Sequence, residues 1–362
     1  MRKTLNLREF FDIIISFVML FLLNEHLYSV EQVTGTSNAF VIMILLIVGF
    51  LYQLVNSQKV RLDFIYIPTF IVLVFYVYIA GGRNHLAIFY AVEILFIFVF
   101  KDVSISTAKF LFSMTIIMGL MYTIFQYLTN VDSRVTGFLL SSPTIFSYLV
   151  LIATVYFIFQ EKNILSYLLI FLGLGQIYLT SSRSTLLLGI VFFIYKKVLQ
   201  PFFQVQRTKS SKIIVIFSVL LALVLIYFLK DTVIIRENGH ESTETRRIMI
   251  VYFIKYILVN PSTLLFGAGA GFTNEAIPAI LSMRNVTSYP LHQDLLTVLV
   301  EFGTIGCLFL SIFMLYKKKL NWLVVSLFLV GTFHNIILSP ISIAMLIILD
   351  NSLVEEKSYI ES

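Results

Sequence analysis

Polar residues in this chain come in short clusters, and long apolar runs separate them. After a basic start, MRKTLNLRE, the first apolar run extends from Phe10 to about Leu27. Further runs fall near 39–55, 64–80, 86–100, 107–128, 144–159, 164–180, 184–199, 213–229, 292–316, 320–334 and 337–349. Most approach the roughly 20 residues that a helix needs to cross a bilayer, so the pattern predicts about twelve transmembrane helices. The alternating ten-residue segments of an outer-membrane barrel are missing from the sequence. No small-residue cleavage site follows the first run, which therefore reads as a retained span and not a signal peptide.

Composition narrows the class without changing it. With 362 residues, 59% hydrophobic and 13% charged, at a mean hydropathy of +0.93, the chain cannot cover itself with an ordinary polar surface. The expected fold is all-α: one polytopic membrane domain over 1–362, carrying a single large extracytoplasmic loop at 230–290. The lone cysteine, Cys307, lies inside an apolar run and excludes a disulfide framework or a cysteine-rich metal site.

The net charge of +6 raises the question of a nucleic-acid partner, and the placement of the charges answers it. They sit in short connections between apolar runs, which is a topology signal. Counting alternate connections from a cytoplasmic N-terminus puts 17 of the 26 basic residues inside. Both termini are then expected in the cytoplasm. Inside there are 13 Lys and 4 Arg, and outside 7 Arg and 2 Lys. A lysine ammonium suits a solvated anchor, whereas arginine's planar fork suits bidentate binding of phosphate or carboxylate. The outer face is therefore expected to hold an anion.

Two stretches carry the remaining chemistry. The connection from Lys230 to Tyr289 holds RRIMIVYFIKYILVN, which predicts a helix capped at Ser242 or Thr243 and stopped at Asn260-Pro261. Its basic residues lie among aromatics and aliphatics, so this helix should rest on the membrane surface or against the bundle. FGAGAGF follows at Phe266–Phe272. It looks like a glycine-rich phosphate loop but lacks a preceding strand and a Lys-Ser/Thr, so its glycines are expected to serve close backbone passage.

The second stretch is PLHQDLLTVLVEFGTIG, Pro290 to Gly306, in which ionisable groups enter an apolar run. In a regular helix His292 and Glu301 fall on opposite faces, while Asp294 and Glu301 share one. A His292 placed before the first turn escapes that constraint. Intramembrane charges at mid-span and broken helices, the signature of a transporter, are not visible in the sequence.

Three stretches together resemble the O-antigen polymerase and O-antigen ligase family of bacterial envelope proteins. They are RVTGFLLSSPTIFSYLVL from Arg134, YLTSSRSTLLLGIVFF from Tyr178, and the segment from TRRIMIVYFIKYILVNPSTLLFGAGAGF to PLHQDLLTVLVEFGTIG. Gln293 stands where the family's His-Asn element has Asn, and Tyr252 or Phe253 where Trp is common. The resemblance implies a glycosyltransferase-C-like helical bundle in the bacterial cytoplasmic membrane. It also implies glycosyl transfer from oligosaccharides carried on undecaprenyl diphosphate, with no cofactor or metal. Partners implied are the lipid bilayer, chain-length regulator and flippase proteins, and no nucleic acid.

A sugar on a diphosphate brings its own leaving group, so the protein must hold the diphosphate, activate an acceptor hydroxyl and align the two. Arg183, Arg246 and Arg134 are the first candidates to neutralise the departing diphosphate, with Arg247 and Arg284 behind them. His292 is the candidate general base, its alternatives being a diphosphate ligand or a helix-cap partner. Glu301, Asp294 and His334 are expected to support these groups. A ligase passing a finished glycan from the same carrier to a lipid or protein would use the same donor site, and a transporter or flippase is the rival of another class.

Overall fold

The computed structural model describes residues 7–24, 26, 36–56, 96, 100, 103–129, 135–139, 142–160, 163–200, 240–269, 271–282, 291, 293–316, 322–331 and 339–360. Among these residues every regular element is helical. In chain order they are α1 (Leu7–Leu23), α2 (Thr36–Asn56), α3 (Ile105–Thr129), α4 (Pro143–Gln160), α5 (Ile164–Leu179) and α6 (Arg183–Phe193). There follow α7 (His240–Val259), α8 (Pro261–Phe266), α9 (Phe272–Ile280), α10 (Asp294–Tyr316), α11 (Trp322–Gly331) and α12 (Pro340–Ile360). The expected runs at 39–55, 107–128, 144–159 and 164–180 coincide with α2, α3, α4 and α5 to within three residues at each end. The runs at 64–80 and 213–229 lie outside the described residues, as does nearly all of 86–100.

Among the described residues two helices, α3 and α4, are long and apolar enough to cross a membrane, and shorter apolar helices cover Phe10–Leu23, Val41–Tyr52, Ile164–Leu179 and Pro340–Leu353. Contacts group the chain into two compact units, one of residues 1–111 and 245–362, the other of 112–244.

In the 112–244 unit, α4 is the central helix. Every residue from Phe146 to Ile158 is buried, so apolar side chains point in all directions and find neighbours in all directions. Gly173 of α5 lets that helix approach so closely that a Cβ there would collide with Thr154 of α4. Small residues at such crossings let backbones meet, which is how helices associate where apolar burial alone gives no preference. Asn163 starts α5 by accepting a hydrogen bond from the Ser166 amide at 2.8 Å. After Phe193, α6 continues as a π-helical segment, Ile194–Leu199, which carries Lys196 over the Phe159 ring and Lys197 over the Tyr167 ring.

In the other unit, a polar knot ties three segments. The Asp12 carboxylate on α1 accepts from the Tyr52 hydroxyl of α2 at 2.7 Å and from the Ser104 hydroxyl, just before α3, at 3.1 Å. Tyr52 is fully buried, so its hydroxyl needs this partner. Asn351 of α12 donates to the Phe100 carbonyl at 2.8 Å.

Candidate functional site

The Val-Thr-Gly turn at 135–137 and the Ser-Arg turn both come to the N-terminal end of α4. Gln126, near the end of α3, clamps the first of them. Its Oε1 accepts from the amides of Thr136 and Gly137, both at 3.0 Å, while its Nε2 donates to the Thr136 hydroxyl and the Gly137 carbonyl. Gly137 has φ 62° and abuts the Phe146 ring, where a Cβ would collide. Phe138 then meets Phe146 edge to face at 4.9 Å. The Ser-Arg turn is held one residue further along α4: the Thr185 hydroxyl donates to Ser147 at 3.2 Å, and Ser147 donates to the Thr144 carbonyl. Ser181 takes φ 57°, which turns the chain sharply enough for Arg183 to open α6 as its first residue. Arg183 is partly exposed and Ser182 before it is buried. Arg134 itself lies outside the described residues.

In the other unit the large connection folds onto α10. The expected helix over RRIMIVYFIKYILVN forms as α7. It begins at His240, so Ser242 and Thr243 lie in its first turn and do not cap it. The expected stop holds: the Asn260 side chain donates to the Tyr256 carbonyl at 2.9 Å and Pro261 opens α8. Met249, Phe253 and Ile257, at helical spacing, bury one stripe of α7 against Ile277, Leu291 and Val300. The other faces leave Leu258 at 72% and Val259 at 78% exposure, together with exposed Arg247 and Lys255. Arg246 falls within α7.

The run at 292–316 was expected as a continuous span, and here the structure corrects it. α10 starts at Asp294 and breaks at Gly303, whose φ of 67° and ψ of −172° no helix contains. A regular helix would engage the Val300 and Glu301 carbonyls with amides four residues on. Instead the glycine-rich loop reaches them: the Ala268 amide donates to Val300 at 2.8 Å and the Gly269 amide to Glu301 at 3.1 Å. Gly267 and Gly303 make this approach possible. A Cβ on Gly267 would strike the Glu301 carbonyl, and one on Gly303 would lie 2.6 Å from the Gly267 nitrogen. FGAGAGF thus serves close backbone passage, as its lack of a phosphate-loop context implied.

Glu301 is 1% exposed. Its Oε1 accepts from both the amide and the hydroxyl of Thr273, in the first turn of α9. Its Oε2 is buried, and the Gly271 backbone also donates to this carboxyl. Asp294, Thr297 and Glu301 form one buried polar stripe along α10, so the expected common face of Asp294 and Glu301 is present. Gln293 caps the helix, its Oε1 accepting from the Leu296 amide at 2.6 Å. Position 292 therefore precedes the first turn, and the opposite-face argument against a His292–Glu301 pairing does not apply. His292, Arg284 and His334 lie outside the described residues.

Reasoning from sequence missed Gln126, Thr273 and the break at Gly303. A glutamine just inside the end of an apolar run, and a threonine directly after FGAGAGF, were the available signals. Among the described residues no group of three or more His, Cys, Asp or Glu could hold a metal. Comparison with known proteins gives no matching family model and no curated sequence of significant similarity.

Proposed function

We propose that the chain is a multi-pass enzyme of the bacterial cytoplasmic membrane that polymerises undecaprenyl-diphosphate-linked oligosaccharide repeats into a surface polysaccharide. In this reading about twelve spans form a glycosyltransferase-C-like bundle and the reaction proceeds on the extracytoplasmic face. The acceptor hydroxyl gives its proton to His292 and displaces the diphosphate, inverting the anomeric centre. Arg183, Arg246 and Arg134, backed by Arg247 and Arg284, stabilise the charge that grows on the diphosphate. Glu301, Asp294 and His334 support them.

The observation that carries this reading is the gathering of the Arg-Val-Thr-Gly and Ser-Arg turns on neighbouring residues of α4, Phe146 and Ser147. One turn is pinned by four hydrogen bonds to Gln126 of α3 and packs on the Phe146 ring, the other is hydrogen-bonded to Ser147 of α4, and turns held this firmly are what a preorganised anion site requires. A second reading, a lipid or polysaccharide transporter, draws support from the break at Gly303 beside a buried carboxyl.

The test is gene deletion followed by complementation with Arg183→Ala, Arg183→Lys and His292→Ala, reading surface glycan length and the lipid-linked pool. Polymerase function predicts that the null and His292→Ala strains accumulate single repeats on the carrier. Long chains left on the carrier in the null strain identify a ligase. Repeats trapped on the cytoplasmic side identify a transporter. Arg183→Lys should not restore function, because an ammonium cannot reproduce the bidentate fork.

A further inference from the structure

We infer that Glu301 is a positioning residue, whose carboxyl caps α9 from a neighbouring helix and so fixes the end of the large connection against α10. This rests on the proposed glycosyl transfer for its functional readout, although its structural readout is independent.

α9 starts without a cap of its own. The residue before it is Gly271, in the left-handed conformation with φ 83°, and it makes no side-chain cap hydrogen bond. The first amides of a helix have no intrahelical acceptor and, when buried, need one from elsewhere. Thr273 is fully buried, and the acceptor for its amide is Glu301 Oε1 at 3.2 Å, the same oxygen that takes the Thr273 hydroxyl. One carboxyl oxygen on α10 thus does what an N-cap serine or aspartate does from within the chain.

Glu301 is held in place for this by its own main chain. Its carbonyl accepts the Gly269 amide, the carbonyl before it accepts the Ala268 amide and its carboxyl accepts from Thr273, so the loop and the start of α9 are stitched to α10 at three points. The break at Gly303 frees those carbonyls. Ile277 of α9 and Val300 of α10 share one buried cluster with Leu291, which closes the same corner from the apolar side. Residues 283–293 connect α9 to α10 and contain Arg284 and His292. Their two attachment points are therefore fixed relative to each other through Glu301 and Thr273. The rival role is direct contact of the carboxyl with substrate.

The test uses the full-length protein in membranes and in detergent with E301Q, E301A, T273S and T273V. Readouts are the unfolding midpoint, polymer yield, and KM against kcat for a lipid-linked repeat. A glutamine carbonyl and a serine hydroxyl both preserve the hydrogen bonds to and from residue 273, so E301Q and T273S should retain the midpoint and lose less activity than E301A and T273V. E301A and T273V should lower the midpoint. In E301A kcat should fall on the order of a hundredfold, the scale of a small misplacement of reacting groups, with KM nearly unchanged. Added formate should restore E301A in part, where equal chloride does not. The inference is overturned if E301Q is as inactive as E301A while both keep the wild-type midpoint, because the carboxyl then acts on substrate. It is overturned equally if T273V and E301A leave midpoint and activity unchanged. Should the wild-type protein make no polymer, the midpoints and the formate effect still decide the capping role, and only the proposed function falls.

Discussion

Replacing Gly303 by alanine is the sharpest physical test of the broken helix. The residue sits at φ 67° and ψ −172°, a region open almost only to glycine, and forcing a Cβ into it costs roughly 1–3 kcal/mol. The new Cβ would also meet the Leu265 carbonyl and the Gly267 nitrogen, so the loop must retreat. Retreat removes the Ala268–Val300 and Gly269–Glu301 hydrogen bonds, each contributing about 1 kcal/mol. If alanine stays in that conformation, strain and the two lost hydrogen bonds together cost about 3–5 kcal/mol; if the helix straightens, the strain is relieved, about 1 kcal/mol of helical preference returns, and the net cost falls to about 1 kcal/mol. Either way the protein is destabilised and the glycine-rich loop is released from α10. The assay pairs thermal unfolding in detergent with maleimide labelling of Cys307, the single cysteine, which lies one turn beyond the break and is only partly buried. G303A should unfold earlier and label at an altered rate. Gly175→Ala is the control: nothing lies within 4 Å of its added Cβ, so it should be neutral or stabilising by up to about 1 kcal/mol. If G303A keeps both the wild-type midpoint and labelling rate, the interlock of loop and helix is wrong.

Other perturbations probe the remaining contacts. Gln126→Ala removes all four hydrogen bonds that clamp Thr136 and Gly137, and should cost about 2–4 kcal/mol in detergent stability and shorten the surface glycan. Gly173→Val should force α5 away from Thr154 and lower the unfolding midpoint by the roughly 1–3 kcal/mol typical of overpacking. Tyr52→Phe removes the hydroxyl that donates to Asp12 and accepts from the Ser104 amide, and should cost about 1–2 kcal/mol, measured by the same unfolding assay.

Helix placement was legible because apolar runs of spanning length have few alternatives: a backbone in an apolar surrounding must satisfy its own hydrogen bonds. The stop at Asn260-Pro261 was legible for a similarly local reason, since proline cannot donate and suits the first helical position. The break at Gly303 was not. EFGTIG reads as a span with small residues, and what stabilises the break is a loop far upstream in the chain, FGAGAGF. Glycine pairs that let two backbones touch leave no pattern in either segment alone. Gln126 was passed over for the same reason, because its partners Thr136 and Gly137 lie beyond the end of its helix. The arginine-bearing turns were found by residue type and order, yet only the packing on Phe146 and Ser147 reveals their common location.

The break in α10 bears on the choice between the two proposed functions through what is left unsatisfied at it. In a transporter a discontinuous helix leaves carbonyls or amides open, so that ions or substrate complete them. Here the carbonyls of Val300 and Glu301 are taken by Ala268 and Gly269, and one carboxyl oxygen of Glu301 is taken by Thr273. The chain's own donors thus satisfy these acceptors. Loop backbone therefore holds FGAGAGF and α10 together at the break. The Glu301 carboxyl is the buried ionisable group beside the break, so it is the group through which ion dependence is tested. Transport that depends on a sodium or proton gradient and is abolished in both E301Q and E301A would therefore favour the transporter reading, whereas gradient-independent glycan extension that survives E301Q favours the polymerase.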